Sequence, residues 1–203
     1  LLVLGSMLVD PVPSADGRDL IAGYAEELFA SGLHTNLIHY GFALVAPVVY
    51  GMVGLVRGRG GWLANVAGVL AMIGLSTLPG LVISDLYLVG AARAVDVDTA
   101  VAVSAEVEAL VAFNVLVVPA FFSAVIALPV AVIALWRAGR FPAYAAALCF
   151  PAAFAPMVLP WWAGFSVNAA WMVVLAVLLR RIPASQWFPA GHMARQTELA
   201  ATG

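Results

Sequence analysis

The chain has 203 residues, of which 64% are hydrophobic and 10% are charged, and its formal net charge is −2. A soluble domain carries roughly 25% charged residues, so this composition excludes a water-soluble globular protein and predicts an integral membrane protein. The single cysteine, Cys149, excludes an internal disulfide and a Cys-x-x-Cys redox or zinc motif.

The first apolar stretch, residues 1–9, is too short to cross a bilayer, because a spanning helix needs about 20 residues. We interpret it as the end of a first spanning helix, and the alternative is the apolar region of a cleaved signal peptide. Residues 14–31 place apolar side chains at helical spacing, which predicts a short amphipathic helix that ends at Gly32. Its acidic polar face favours docking on protein over docking on anionic lipid.

Five further apolar segments of bilayer length follow, and they predict spanning helices. Residues 90–99 predict a loop, and residues 99–108 predict a helix that leads into the next span. We therefore expect an all-α, polytopic bundle of about six transmembrane helices, the first truncated, with short amphipathic helices on the outer face. This single domain, 1–182, has spans at 1–9, 33–56, 62–89, 109–136, 141–160 and 161–181, outer segments at 10–32 and 90–108, and a cytoplasmic tail at 183–203.

The charges separate into two groups when the chain is threaded through these spans. By the positive-inside rule the side rich in arginine is cytoplasmic, so both termini are predicted to be cytoplasmic. The chain has no lysine and is rich in alanine, valine, glycine and leucine, which is typical of a GC-rich bacterial genome, so we expect the inner (plasma) membrane of a bacterium. The arginine side holds Arg57, Arg59, Arg137, Arg140, Arg180, Arg181 and Arg195 with Glu198, and the other side holds Asp10, Asp16, Asp19, Glu26, Glu27, Asp96, Asp98, Glu106 and Glu108 with Arg18 and Arg93.

Polar side chains recur at one predicted depth, near the outer ends of the spans. An aspartate at a helix centre costs roughly 2.5–3.5 kcal/mol on insertion scales, so Asp85 should find a partner. We hypothesise that Asp85 pairs with His39, directly or through water, in a pocket open to the outer side that suits a small ligand, a cation or a proton. The alternative is structural, with Asp85 reaching water and His39 donating to a backbone carbonyl. The predicted ligand-binding residues are His39, Asp85, Asn114, Asn168, Asn36 and Tyr40.

The sequence contains no pattern that predicts a catalytic residue, a metal or a cofactor. The three histidines are poorly spaced for paired haem ligands or a zinc site, and no glycine-rich phosphate loop occurs. We predict a non-enzymatic accessory subunit, or a protein that binds a small ligand or lipid through its outer polar pocket. Its expected partners are the lipid bilayer and a membrane protein or a second copy, with no nucleic acid. The alternative is a small secondary transporter, or an ion- or proton-coupled carrier, that uses His39 and Asp85.

Overall fold

The computed structural model of the protein describes residues 2–13 and 17–187, and every regular element in these two segments is an α-helix. The all-helical prediction is therefore confirmed for this part of the chain. The helices are α1 (Leu2–Val9), α2 (Gly17–Glu26), α3 (Leu28–Leu55), α4 (Gly61–Ala94), α5 (Val97–Ala109), α6 (Val111–Arg137), α7 (Ala143–Val158), α8 (Trp161–Arg180) and α9 (Ala184–Trp187).

Four helices are long and apolar enough to cross a membrane: α3, α4, α6 and nearly all of α8. Helix α7 is apolar but has only 16 residues, which is about 24 Å at 1.5 Å per residue. Helix α1 has 8 residues and packs against α3. The count of six spans therefore stays a prediction. The predicted tail begins with α9, and its remainder lies outside the described residues, as does the 14–16 segment of the predicted amphipathic helix.

Helix α4 lies at the centre of the bundle, between α3 and α6. It meets α6 through small side chains at helical spacing, because Ala64, Ala67 and Ala71 are all buried. At Gly74 the two backbones come so close that a Cβ would lie 2.2 Å from the backbone nitrogen of Ala124. Small residues of this kind let helices approach where apolar burial alone gives no drive for association in lipid.

Helices α7 and α8 form a hairpin that joins the bundle through the contact of α7 with α6. A Cβ at Gly164 would lie 2.5 Å from the Cα of Pro156, so the two helices touch near their connecting turn. Cys149 of α7 is fully buried in the main core, as expected for an inert thiol.

Helices α2 and α5 together cover the far end of α4, and we call this part of the molecule the acidic end. Their shared core consists of Ile21, Ala92 and Ala100. On the surface, Arg18 Nε donates to Asp98 Oδ1 at 2.7 Å, which ties α2 to α5. The prediction that the amphipathic helix docks on protein is confirmed, because α2 packs against both α4 and α5.

Two predicted boundaries are wrong. Gly32 does not end the amphipathic helix, because it lies within α3, which begins at Leu28. The helical hydrogen-bond pattern crosses the junction at Glu27, whose N–H bonds the Gly23 carbonyl at 3.0 Å and whose carbonyl accepts from Ser31 N–H at 2.9 Å. These bonds satisfy the groups that a glycine cap would have served.

The predicted 90–99 loop is also wrong for most of its length. Helix α4 continues to Ala94, and only residues 95–96 separate it from α5. The extension is anchored by Arg93, whose Nη1 donates to the Ala25 carbonyl of α2 at 3.1 Å. Asp96 then caps α5, because its Oδ1 accepts from the Thr99 N–H at 2.7 Å. With these hydrogen bonds in place, two residues are enough to connect α4 to α5.

The turns that carry arginine lie side by side at the other end of the bundle, which we call the arginine end. A Cβ at Gly60, in the α3–α4 turn, would lie 2.6 Å from the Ala134 carbonyl oxygen and 3.3 Å from Arg137 Cβ. Arg140, in the α6–α7 turn, donates to the Gln186 side chain in α9. The predicted grouping of these arginines at one end is therefore confirmed, while Arg195 lies outside the described residues.

Candidate functional site

The structure gives His39 a backbone partner. Its Nδ1 lies 2.8 Å from the carbonyl oxygen of Pro79 in α4, and because a carbonyl only accepts, Nδ1 is the donor. The neighbouring Tyr40 ring packs edge-on against the imidazole, at 5.1 Å between centroids, and is otherwise exposed. His39 therefore links α3 to α4, and it forms no direct ion pair with Asp85 among the described residues.

The register of the α3–α4 hairpin explains why the direct pair does not form. His39 faces Pro79, and Asp85 lies six residues further along α4, about 9 Å closer to the acidic end at 1.5 Å per residue. On the opposing helix the matching position lies six residues before His39, at Leu33, so the level of Asp85 falls next to His34. In an antiparallel hairpin that turns at 57–60, counting outward from the turn was the sequence signal that could have found this match.

His34 contacts both a charged and an aromatic side chain. It is only 8% exposed, and its Nδ1 lies 2.9 Å from the Ser6 carbonyl oxygen of α1. The same nitrogen lies 3.9 Å from Oδ2 of Asp10, just beyond the end of α1. The ring of Tyr24 in α2 packs against the imidazole at 5.8 Å between centroids. Helix α1 with the residue that follows it, and helix α2, therefore converge on one buried imidazole of α3.

Asp85 completes this group from α4. It is half-buried, and its carboxylate interacts electrostatically with His34 and with Tyr24. The Tyr24 side chain is 5% exposed, and burial raises the pKa of its hydroxyl, with the carboxylates of Asp10 and Asp85 raising it further. We call Asp10, Tyr24, His34 and Asp85 the His34 cluster. It joins α2, α3 and α4 with the end of α1, at the acidic end of the bundle.

Buried hydroxyl groups surround the His34 cluster. Ser31 Oγ donates to the carbonyl of Tyr24 at 3.1 Å and to that of Glu27 at 2.9 Å, which fixes α2 against α3. Ser6 Oγ bonds the carbonyl of Val3 within α1. Thr35 is 1% exposed, and its Oγ1 has no hydrogen-bond partner among the described residues. These side chains make the region polar but closely packed.

The other predicted ligand-binding residues lie apart from one another. Asn36 is exposed, and its Nδ2 donates to the carbonyl of Gly32 in its own helix at 2.7 Å. Asn114 donates to the Glu108 carbonyl at 2.8 Å and so joins α5 to α6. Asn168 donates across to α7, to a backbone carbonyl 3.2 Å away. Each of the three amides donates a hydrogen bond to a backbone carbonyl. The role of these residues in ligand binding stays a prediction.

Two surface cavities are found elsewhere in the described part of the chain. One, of about 340 Å³, is an apolar groove along α5 at the acidic end. The other, of about 410 Å³, lies at the arginine end, between the α3–α4 and α6–α7 turns. Neither is lined by the predicted site residues or by the His34 cluster. Within 2–13 and 17–187 no group of three or more His, Cys, Asp or Glu side chains is arranged to hold a metal ion.

No protein-family model, curated protein or solved structure matches the chain. Its function is therefore inferred from its own residues.

Proposed function

We propose that the chain is a multi-pass integral membrane protein of a bacterial inner membrane, with the arginine end in the cytoplasm. Four helices of spanning length and a bundle that gathers arginine at one end and acids at the other support this proposal. Large apolar side chains also remain exposed along these helices, where lipid rather than water would stabilise them. Examples are Leu44 and Val48 of α3, Val69 and Met72 of α4, Val115 and Leu116 of α6, and Val173 and Val177 of α8.

Within the membrane the proposed role is that of a non-enzymatic accessory subunit, or of a protein that binds a small ligand or lipid, at its acidic end. The observation that carries this proposal is the groove on α5. The inner side of α5 is packed against α2 and α4, whereas Val103, Val107 and Leu110 are exposed and line the groove beside Glu106. An apolar surface edged by acids suits a membrane partner whose segment at the membrane surface is apolar and basic.

Site-specific crosslinking tests the accessory role. A photoreactive amino acid at Val103 or Val107 should give one discrete adduct, to a partner protein or to a second copy of the chain. The matched control is Val173 of α8, which is equally apolar and is 61% exposed, and which should give lipid adducts alone. Lipid adducts alone at all three positions would contradict the accessory role.

The alternative function is an ion- or proton-coupled carrier, and the His34 cluster favours it. Buried ionisable residues inside a helical bundle are typical of proton relays. Here His34 Nδ1 lies 3.9 Å from Asp10 Oδ2, and the imidazole interacts electrostatically with Asp85. In proteoliposomes with an imposed pH gradient, a carrier should show proton flux that Asp85→Asn and His34→Gln abolish. Asn36→Ala, an exposed polar change on the same helix as His34, is the control. Flux that is equal in empty vesicles would exclude the carrier.

A further inference from the structure

Helix α2 lies over the His34 cluster at the acidic end. The Tyr24 ring packs against the His34 imidazole, and the side chains of both residues are buried. Next to this contact Ser31 of α3 is fully buried, and its Oγ donates to the Tyr24 carbonyl at 3.1 Å. Moving α2 away would therefore uncover Ser31 and the face of His34 that the Tyr24 ring covers.

Little apolar surface holds α2 in this place. Of its ten residues only Ile21 and Tyr24 are buried, and Ile21 shares its small core with Ala92 of α4 and Ala100 of α5. The main core of the described residues includes no residue of α2. Segments with few buried apolar contacts open locally at a small fraction of the free energy of global unfolding. Helix α2 is therefore the part of the acidic end that separates most easily from the bundle.

The junction with α3 is the point about which α2 can turn. Glu27 is the residue between the two helices, and its φ of −106° and ψ of +60° are not helical. In hinge motions, residues at the ends of helices absorb the change in backbone angles. A rotation at Glu27 would swing α2 and leave the hydrogen bonds within α3 in place.

An exposed ion pair holds the first turn of α2. Arg18 Nε lies 2.7 Å from Asp98 Oδ1 of α5, and the two side chains are 59% and 76% exposed. The last turn is held separately, because Arg93 of α4 donates to the Ala25 carbonyl close to the hinge. Ion pairs in water are weak, and salt screens them. We call the Arg18–Asp98 pair the latch, since its loss frees the end of α2 that lies away from the hinge.

We propose that α2 is a gate, which turns at Glu27 when the Arg18–Asp98 latch opens and so lets water reach the His34 cluster from the acidic end. In the carrier alternative this gate would be the outer entrance for protons, and that role rests on the proposed function. The motion itself does not depend on transport, because the hinge, the latch and the Tyr24 contact all belong to α2 and its neighbours.

The test measures how fast N-ethylmaleimide, a neutral reagent, modifies a cysteine beneath the gate in the solubilised full chain. The reporter is Ser31→Cys in a Cys149→Ala background. Arg18→Gln, Asp98→Asn and the double variant should each raise the modification rate about two- to five-fold, as expected for the loss of an exposed ion pair. The double variant should react no faster than either single variant, because all three break the same pair.

Salt supplies a second readout of the latch. Sodium chloride at about 1 M should raise the rate of the reporter by a similar factor and leave the rate of the double variant unchanged. The matched control is Glu26→Gln, which neutralises an exposed charge of α2 outside the latch. It should change the rate by less than about two-fold.

Native Cys149, which is buried in the main core, reports on the overall fold. In a chain that carries Arg18→Gln without the reporter, Cys149 should stay unmodified. The gate is overturned if breaking the latch leaves the rate of Ser31→Cys unchanged, or if Cys149 reacts as fast as the reporter. It is also overturned if Ser31→Cys reacts like a fully exposed cysteine while the latch is intact.

Hydrogen–deuterium exchange covers the case in which Ser31→Cys does not fold. In Arg18→Gln the backbone N–H groups of residues 20–27 should exchange faster than in the unmodified chain, while those of α6 keep their rates. Equal exchange of residues 20–27 in both chains would contradict the gate.

Proton flux in proteoliposomes separates this inference from the proposed carrier. A modification rate that depends on the latch, with flux equal to that of empty vesicles, contradicts the carrier alone. Flux that Asp85→Asn abolishes, with a modification rate that ignores the latch, contradicts the gate alone.

Discussion

His39 of α3 binds the carbonyl oxygen of Pro79 in α4 at 2.8 Å, and this bond fixes how the two helices face each other. It brings His34, and not His39, to the level of Asp85. The position of the His34 cluster therefore depends on the helix register that the His39–Pro79 hydrogen bond marks, about a turn and a half deeper in the bundle.

Replacing His39 by leucine should destabilise the hairpin. The substitution removes a hydrogen bond between helices, and such bonds contribute about 1 kcal/mol in membrane proteins. Unfolding of the solubilised protein by sodium dodecyl sulfate should show a free energy of unfolding lower by about this amount. Asn36→Ala, which removes a bond within one exposed turn of α3, should have a smaller effect. Equal effects would show that the His39 bond does not hold the helices together.

Gly74 should tolerate no side chain. A Cβ there would lie 2.2 Å from the backbone nitrogen of Ala124, and a backbone neighbour cannot rotate away. We expect Gly74→Ala to lower the free energy of unfolding by about 1–3 kcal/mol, as overpacking does in other cores. Gly68→Ala, whose nearest neighbour is a Tyr50 ring atom at 4.0 Å, is the matched control on the same helix.

In that control the better helix propensity of alanine should leave stability unchanged or raised, by up to about 1 kcal/mol. If Gly74→Ala behaved like Gly68→Ala, the close crossing of α4 and α6 would be wrong.

Tyr24 should resist ionisation at alkaline pH. Its pKa is raised in the folded chain by burial and by the charges of Asp10 and Asp85. The folded value lies above the unfolded one, near 10, so the stability from the neutral hydroxyl is fully present below about pH 10. That stability is lost as pH rises toward the folded pKa.

Absorbance of tyrosinate during an alkaline titration measures this directly. Tyr24 should ionise only when the protein unfolds, and comparison with Tyr24→Phe isolates its absorbance. The melting temperature should fall as pH rises above 10, and Tyr24→Phe should flatten that dependence. Ionisation of Tyr24 before the protein unfolds would contradict its buried position.

The distribution of charged residues was readable from the sequence because it reflects topology rather than packing. Arginines at 57, 59, 137 and 140 needed only correctly counted helices to fall at one end. The register of α3 against α4 was harder to predict from the sequence. The hypothesis that Asp85 pairs with His39, directly or through water, placed both at one depth, whereas the register of the hairpin puts Asp85 about 9 Å nearer the acidic end than the carbonyl that His39 binds.

Other features depend on contacts that no periodicity encodes. The Ser6 carbonyl that binds His34 belongs to a different helix, and a backbone oxygen has no sequence signature. The close approach at Gly74 depends on which helix α4 meets, and the chain offers many glycines of similar context. Gly32 resembles a helix cap locally, yet the hydrogen bonds around Glu27 carry the chain directly into α3.

The central claim is that the α3–α4 and α6–α7 turns of the arginine end lie in the cytoplasm, and that α2 and α5 at the acidic end lie on the other side of the membrane. Cysteine labelling measures it most directly, in a Cys149→Ala background with single replacements at Gly61, Ala138 and Ala105. In intact cells a membrane-impermeant maleimide should label the cysteine at 105 and spare those at 61 and 138 until the membrane is permeabilised. Labelling of 61 and 138 from opposite sides of the membrane would contradict the account.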